Sequence, residues 1–125
     1  MILGFGIDMM DLRRLDDKKI ERLKNKVLTT SENEQLNAIK SLKRRKEFFS
    51  GRFCAREAFY KATGRGVRDY ELNSIRVVTD ENGKPFLQIP DEQLSFYFSA
   101  QCRVFLSLTH DGEYTLAGVI VEAMD

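Results

Sequence analysis

Residues 45–63 carry the strongest helix signal in the chain, and the two apolar sectors of that helix constrain everything packed around it. At about 100° per residue, Phe48, Gly51, Ala55, Ala58, Phe59 and Ala62 share one stripe, while Phe49, Phe53 and Tyr60 form a sector on the far side. Gly64-Arg65-Gly66 supplies the stop. A helix that is apolar on two sides is buried on two sides. The expectation is a sheet against the small-residue stripe and another subunit against the far sector.

The remaining segments supply that sheet. Residues 2–8 alternate as a strand, with Leu3, Phe5 and Ile7 on one face and Ile2, Gly4, Gly6 and Asp8 on the other. Two glycines on the second face leave room for a neighbour to come close to the backbone. Residues 16–27 form a basic helix, and Thr29-Thr30-Ser31-Glu32 caps a further helix through Glu34, Leu36 and Ile39. Residues 74–79 and 84–89 read as strands joined by Asp80-Glu81-Asn82-Gly83, with Pro85 tolerated at a strand start. Residues 91–100 read as a short helix or irregular connection; 103–110 and 114–122 make a second hairpin around Asp111-Gly112. With no repeat, linker or low-complexity tract in 125 residues, the reading is one α+β domain over residues 1–125. A small antiparallel sheet packs on a long central helix.

No apolar run approaches the roughly 18 residues of a membrane span. The N-terminus lacks the basic region and cleavage site of a signal peptide, so the expectation is a cytoplasmic protein without a membrane role. Cys54 and Cys102 have no metal-type spacing and read as buried free thiols. The net charge of +1 conceals a strong polarity. Residues 13–26 hold seven Lys or Arg against three Asp or Glu, residues 40–52 six against one, and residues 69–125 three against ten. Two basic blocks suit an acidic partner: phosphate, nucleic acid or an acidic protein.

Each residue able to carry chemistry has two readings. Glu57 and Lys61, four apart, are either a surface ion pair or a carboxylate and ammonium on an apolar wall, where a metal with a phosphate would satisfy both. Asp8 either opens a turn or adds a second hard oxygen beside Glu57, and two carboxylates plus water and phosphate is how Mg²⁺ is commonly held. His110, the single histidine, is structural or a phosphate contact. Lys43-Arg44-Arg45-Lys46, with Arg52 beyond, is a solvated face or a set of phosphate ligands. Lys19, Arg22 and Lys26 share a helix face that is either solvated or a dock for an acidic helix.

Three segments resemble the holo-acyl-carrier-protein synthase family, the short bacterial phosphopantetheinyl transferases. They are Gly6-Ile7-Asp8 followed by Leu12-Arg13-Arg14, the run Gly51-Arg52-Phe53-Cys54-Ala55-Arg56-Glu57-Ala58-Phe59-Tyr60-Lys61-Ala62-Thr63-Gly64, and Val104-Phe105-Leu106-Ser107-Leu108-Thr109-His110. Asp80-Glu81-Asn82-Gly83-Lys84-Pro85 and Leu28-Thr29 with Glu32 add weaker matches. Order, spacing and length agree over nearly the whole chain, and the middle segment is the specific one. Arg56 departs from the family's usual Lys, which bears on coenzyme A binding; Thr63, Thr115, Leu116 and Gly118 are further departures.

The resemblance implies the phosphopantetheinyl transferase fold, with transfer of the phosphopantetheine arm of coenzyme A to a serine of an acyl carrier protein in fatty acid synthesis. It implies Mg²⁺ as cofactor on Asp8 and Glu57, Lys61 on the same phosphates, and Glu57 or a water on the metal as the base. Arg52, Lys61, Gly64, Gly83, Lys84, Pro85 and His110 would line the coenzyme A site, with Gly66 giving further backbone access. Arg14, Lys19, Arg22 and Lys26 would dock the carrier's acidic helix, which leaves nucleic acid without a role. The family's short members are trimers with active sites between subunits. A metal-dependent nuclease and a non-catalytic binding module are the competing readings. The acidic C-terminal half disfavours the first, and the full Asp8, Glu57 and Lys61 set disfavours the second.

Overall fold

The computed structural model describes residues 1–65 and 70–124. The long helix, α3 (Leu42–Thr63), starts earlier than its apolar stripe because Ser41 caps it by accepting from the Arg44 N–H. It ends at Gly64, whose φ of 76° is left-handed and favours glycine. Strands β1 (Ile2–Asp11), β4 (Cys102–Asp111) and β5 (Tyr114–Ala123) form an antiparallel sheet in the order β1-β5-β4. Strands β2 (Arg76–Thr79) and β3 (Pro85–Gln88) form a separate hairpin. Residues 91–100 resolve into α4 (Asp91–Tyr97) and a connection.

The stripe of small residues lies on the sheet as expected. A Cβ on Gly4 would run into the Ala62 carbonyl oxygen, and one on Gly6 into the Ala58 carbonyl. On β5, Thr115, Ala117, Val119 and Val121 alternate inward and are buried. The core between helix and sheet adds Cys54, Ala55, Phe59, Tyr60 and Leu106. A bulge between Ile2 and Gly4 breaks the simple alternation of β1, so Leu3 packs on the core while Phe5 and Ile7 remain outward and exposed.

The far sector of α3 is covered by the chain itself, which corrects the expectation of a second subunit there. Helix α1 (Asp17–Val27), capped by Asp16, and α2 (Thr30–Ala38) bring Leu12, Leu15, Ile20, Val27, Leu28 and Leu36 around Phe49 in a second buried cluster. Thr29 and Glu32 form the reciprocal cap of α2. Two arginines hold this layer. Arg45 binds Asp17, Glu21 and the Leu36 carbonyl, so it clamps α3 to α1 and α2 instead of waiting for a phosphate. Arg56, fully buried, binds the Ile75 and Val27 carbonyls and the Glu32 carboxylate at 2.8 Å. That geometry removes Arg56 from the coenzyme A question: it is a structural tie.

Candidate active site

Where β1 crosses the C-terminal half of α3, three predicted residues meet. Asp8 projects from the helix-facing side of the strand, beside Gly6, and its Oδ1 accepts from Lys61 Nζ at 2.8 Å. Glu57 stands one turn before Lys61 and is half-buried. Burial first, and the Asp8 carboxylate second, hold its carboxyl above the usual range, with Lys61 partly opposing them. The bond to Asp8 raises the Lys61 ammonium, so the lysine stays cationic. Behind the group, burial and the Asp8 charge push up the Cys54 thiol, which is free and has no nucleophilic character.

This cluster fits a hard cation. Among the described residues Asp8 Oδ2 is buried with no hydrogen-bond partner, an acceptor open to a positive one. Glu57 places a second carboxylate beside it, and Lys61 offsets the repulsion of the pair only in part. Among the described residues no third His, Cys, Asp or Glu completes a protein-only metal site. Two carboxylates with the rest of the shell left to water and phosphate match magnesium's habit.

The other predicted residues are spread around this cluster. His110 lies on the helix-facing side of β4, with its ring beside Gly51, two turns of α3 before Glu57. Gly64 caps the helix just past Lys61. Arg52 is on the opposite side of α3, against Phe48 at 4.3 Å and the Glu32 carboxylate at 3.5 Å. Gly83 and Lys84 end the β2–β3 turn and Pro85 opens β3, while Lys84 borders a 300 Å³ cleft with Phe5, Phe105 and Ile120 on the outer face of the sheet. A single copy therefore does not gather all of them. Gly66 lies outside the described residues.

On α1 and the turn before it, Arg14, Arg22 and Lys26 are exposed and Lys19 half-buried. The acids nearby are engaged elsewhere: Asp17 with Arg45, and Glu21 with Arg45 and Lys24. Among the described residues none of the four cations has an acidic partner, so the face stays positive. Arg14 and Lys19 also rim a 250 Å³ pocket floored by Met10, Leu15, Leu23, Phe49 and Phe53. That pocket escaped the sequence reading, although the sector containing Phe49 and Phe53 was its signal. Ser50 and Thr115, taken up below, were missed as well. The signal was a serine within the helix and a threonine at a buried position of an alternating strand.

A model of the 4'-phosphopantetheinyl transferase superfamily matches residues 4–118. A holo-[acyl-carrier-protein] synthase of Bacillus subtilis (strain 168) is 38% identical over 127 residues, covering 99% of this chain and 98% of its own length. The enzyme of the same name from Geobacillus sp. (strain WCH70) is 34% identical, with 99% of each chain covered. The crystal structure of the Bacillus anthracis str. Ames synthase in complex with CoA (3',5'-ADP) superposes with a TM-score of 0.82 at 34% identity, over 99% of both chains. That of Neisseria meningitidis gives 0.81 at 28% identity, over 98% of this chain. The chain belongs to this superfamily and, within it, to the holo-[acyl-carrier-protein] synthases, enzymes of the phosphopantetheinyl transferase class.

Proposed function

We propose that this enzyme moves the 4'-phosphopantetheine arm of coenzyme A onto a serine of an apo-acyl carrier protein and releases 3',5'-ADP. The observation that carries this reading is the meeting of Asp8, Glu57 and Lys61 where β1 crosses α3, with one Asp8 oxygen buried and unpaired. The serine oxygen attacks the β-phosphorus of coenzyme A, the bond from that phosphorus to the bridging oxygen breaks, and the nucleotide leaves with its electrons. Lys61, exposed on one side, binds the diphosphate and offsets the charge that develops on it. Glu57, or a water held beside it, takes the serine proton. Asp8 and Glu57 would hold magnesium, whose chemistry is to polarise the diphosphate and neutralise the leaving group.

His110 and Gly64 bind phosphate on the same side of the sheet. Arg52 and the Gly83-Lys84-Pro85 segment reach a coenzyme A site only when copies associate, because Lys84 borders the outer face of the sheet, Arg52 sits against Glu32 of α2, and Asp8 is on the inner face. That outer face is apolar: Phe5, Ile7, Met9, Phe105, Leu116 and Ile120 are exposed on three neighbouring strands. Such a face is an interface in waiting. The assembly is a homotrimer with an active site between each pair of copies. Arg14, Lys19, Arg22 and Lys26 dock the acidic carrier. The whole chain works as one domain, in the cytoplasm, on carriers of fatty acid synthesis. Among the described residues no helix is long and apolar enough to cross a membrane.

Release of 3',5'-ADP, followed by chromatography, tests the reading. It should require coenzyme A, apo-carrier and magnesium together, and should fall at least about a hundredfold in Asp8→Asn and Glu57→Gln. Release that persists without magnesium, or in both variants, counts against it.

A further inference from the structure

Thr115 is wholly buried on β5, paired across to His110 on β4 and to Met10 on β1. Its hydroxyl oxygen lies 2.7 Å from Ser50 Oγ on α3 and 2.8 Å from His110 Nδ1. Ser50 Oγ also lies 3.2 Å from the Glu47 carbonyl oxygen, one turn back along the helix. Each hydroxyl has one proton to give. A carbonyl only accepts, so the Ser50 proton goes to Glu47. Ser50 then accepts from Thr115, and Thr115 accepts from His110 Nδ1–H. The opposite order would set the oxygens of Ser50 and Glu47 against each other with no proton between them.

From this geometry we infer that Ser50 and Thr115 are positioning residues: they hold neutral His110 as the Nδ1–H tautomer and turn Nε2 toward the incoming phosphate. The inference rests on the reading of His110 as a phosphate-binding residue. Among the described residues Nε2 makes no hydrogen bond, and the helix opposite it is glycine: a Cβ on Gly51 would sit 3.7 Å from Nε2. The ring edge is therefore left uncovered where a side chain would have capped it. Protonation at Nε2 leaves the relay intact, because Nδ1 donates in both forms of the ring. A phosphate oxygen reaching Nε2 then receives a charge-assisted hydrogen bond from a ring already aimed. Ser50 precedes Glu57 by seven residues, so this contact lies about 10 Å along the helix from the carboxylate pair. A long, multiply phosphorylated ligand spans that gap.

The chain has a single histidine, so ¹⁵N NMR of the imidazole reports it without ambiguity. The wild-type protein should show the unprotonated, pyridine-type nitrogen at Nε2. In Thr115→Val the proton should move to Nε2, which then offers phosphate a neutral, unaimed hydrogen bond in place of the charge-assisted one, so the KM for coenzyme A should rise roughly three- to tenfold. The KM for the carrier and kcat should stay within about twofold, and Thr115→Ser should restore both tautomer and KM. Ser50→Ala, which frees the Thr115 proton to turn toward Nδ1, should shift the tautomer in the same direction and serves if Thr115→Val does not fold. An unmoved tautomer in Thr115→Val and Ser50→Ala overturns the relay. A moved tautomer with unchanged KM overturns the positioning role if His110→Ala raises that KM. If His110→Ala is also silent, the phosphate-binding assignment of His110 is what falls.

Discussion

At Glu57, function and stability pull against each other. Its raised carboxyl means that the folded state holds the proton more tightly than the unfolded chain. The charged form therefore costs stability as the pH rises through that raised value, and the cost vanishes below the ordinary carboxylate range. Glu57→Gln should nearly abolish transfer yet be more stable at neutral pH in metal-free buffer, by ~0.5 kcal/mol once solvent screening of this half-exposed group is allowed for, and so melt slightly higher. The two melting curves should converge in acid; a lower melting point at neutral pH contradicts the assigned repulsion. Arg56 behaves differently. Its loss leaves the buried Glu32 carboxylate with the Thr29 N–H and, for its charge, only the looser Arg52 contact, so Arg56→Ala should cost about 3–5 kcal/mol in denaturant unfolding. These roles were unequally legible in the sequence. Glu57 and Lys61 stood out by their spacing, but a buried arginine and a solvated one are spelled alike. Arg45 and Arg56 were therefore misplaced until the chain's long-range contacts were known.

At the level of elements, the site depends on how closely β1 lies on α3. Gly6 meets the helix backbone at Ala58 and Ala62, which cannot yield as a flexible side chain would. Gly6→Ala should destabilise by about 2 kcal/mol or more and should separate Asp8 from Lys61, lowering transfer beyond the loss of folded protein. Full specific activity in the folded fraction contradicts that coupling. The basic face is a second element-scale claim. Because Arg45 and Lys24 already hold the acids of α1, reversing Arg22 and Lys26 to Glu should raise the KM for the carrier by roughly tenfold or more and leave that for coenzyme A unchanged. A carrier KM that does not move removes the dock. The alternation of β1 and the cap of α2 were legible from local pattern, as was the stop at Gly64. The bulge at the start of β1 was not, because it follows from pairing with β5, more than a hundred residues away in sequence.

At the scale of the whole molecule, the three-stranded sheet has one face on the helix and, among the described residues, the other face exposed. Sequence periodicity correctly required burial on both sides of α3, but assigned the second side to another subunit; α1, α2 and their connections fill it instead. The unpartnered apolar surface is the outer face of the sheet, formed by alternate residues of three strands that no single segment displays. Ile7, exposed there opposite Gly118, is a suitable probe. If the proposed trimer forms through this face, Ile7→Lys should give a monomer in light scattering where the wild type gives a trimer, with the circular dichroism of the fold intact, and an unchanged mass contradicts the interface. The central claim is more directly exposed to intact mass spectrometry of an apo-acyl carrier protein incubated with the enzyme, coenzyme A and magnesium. The account predicts that the carrier gains the mass of one phosphopantetheine arm and that chelation prevents the gain. A carrier that remains unmodified in the complete mixture, across several acyl carrier proteins including one from the enzyme's own source, would contradict it.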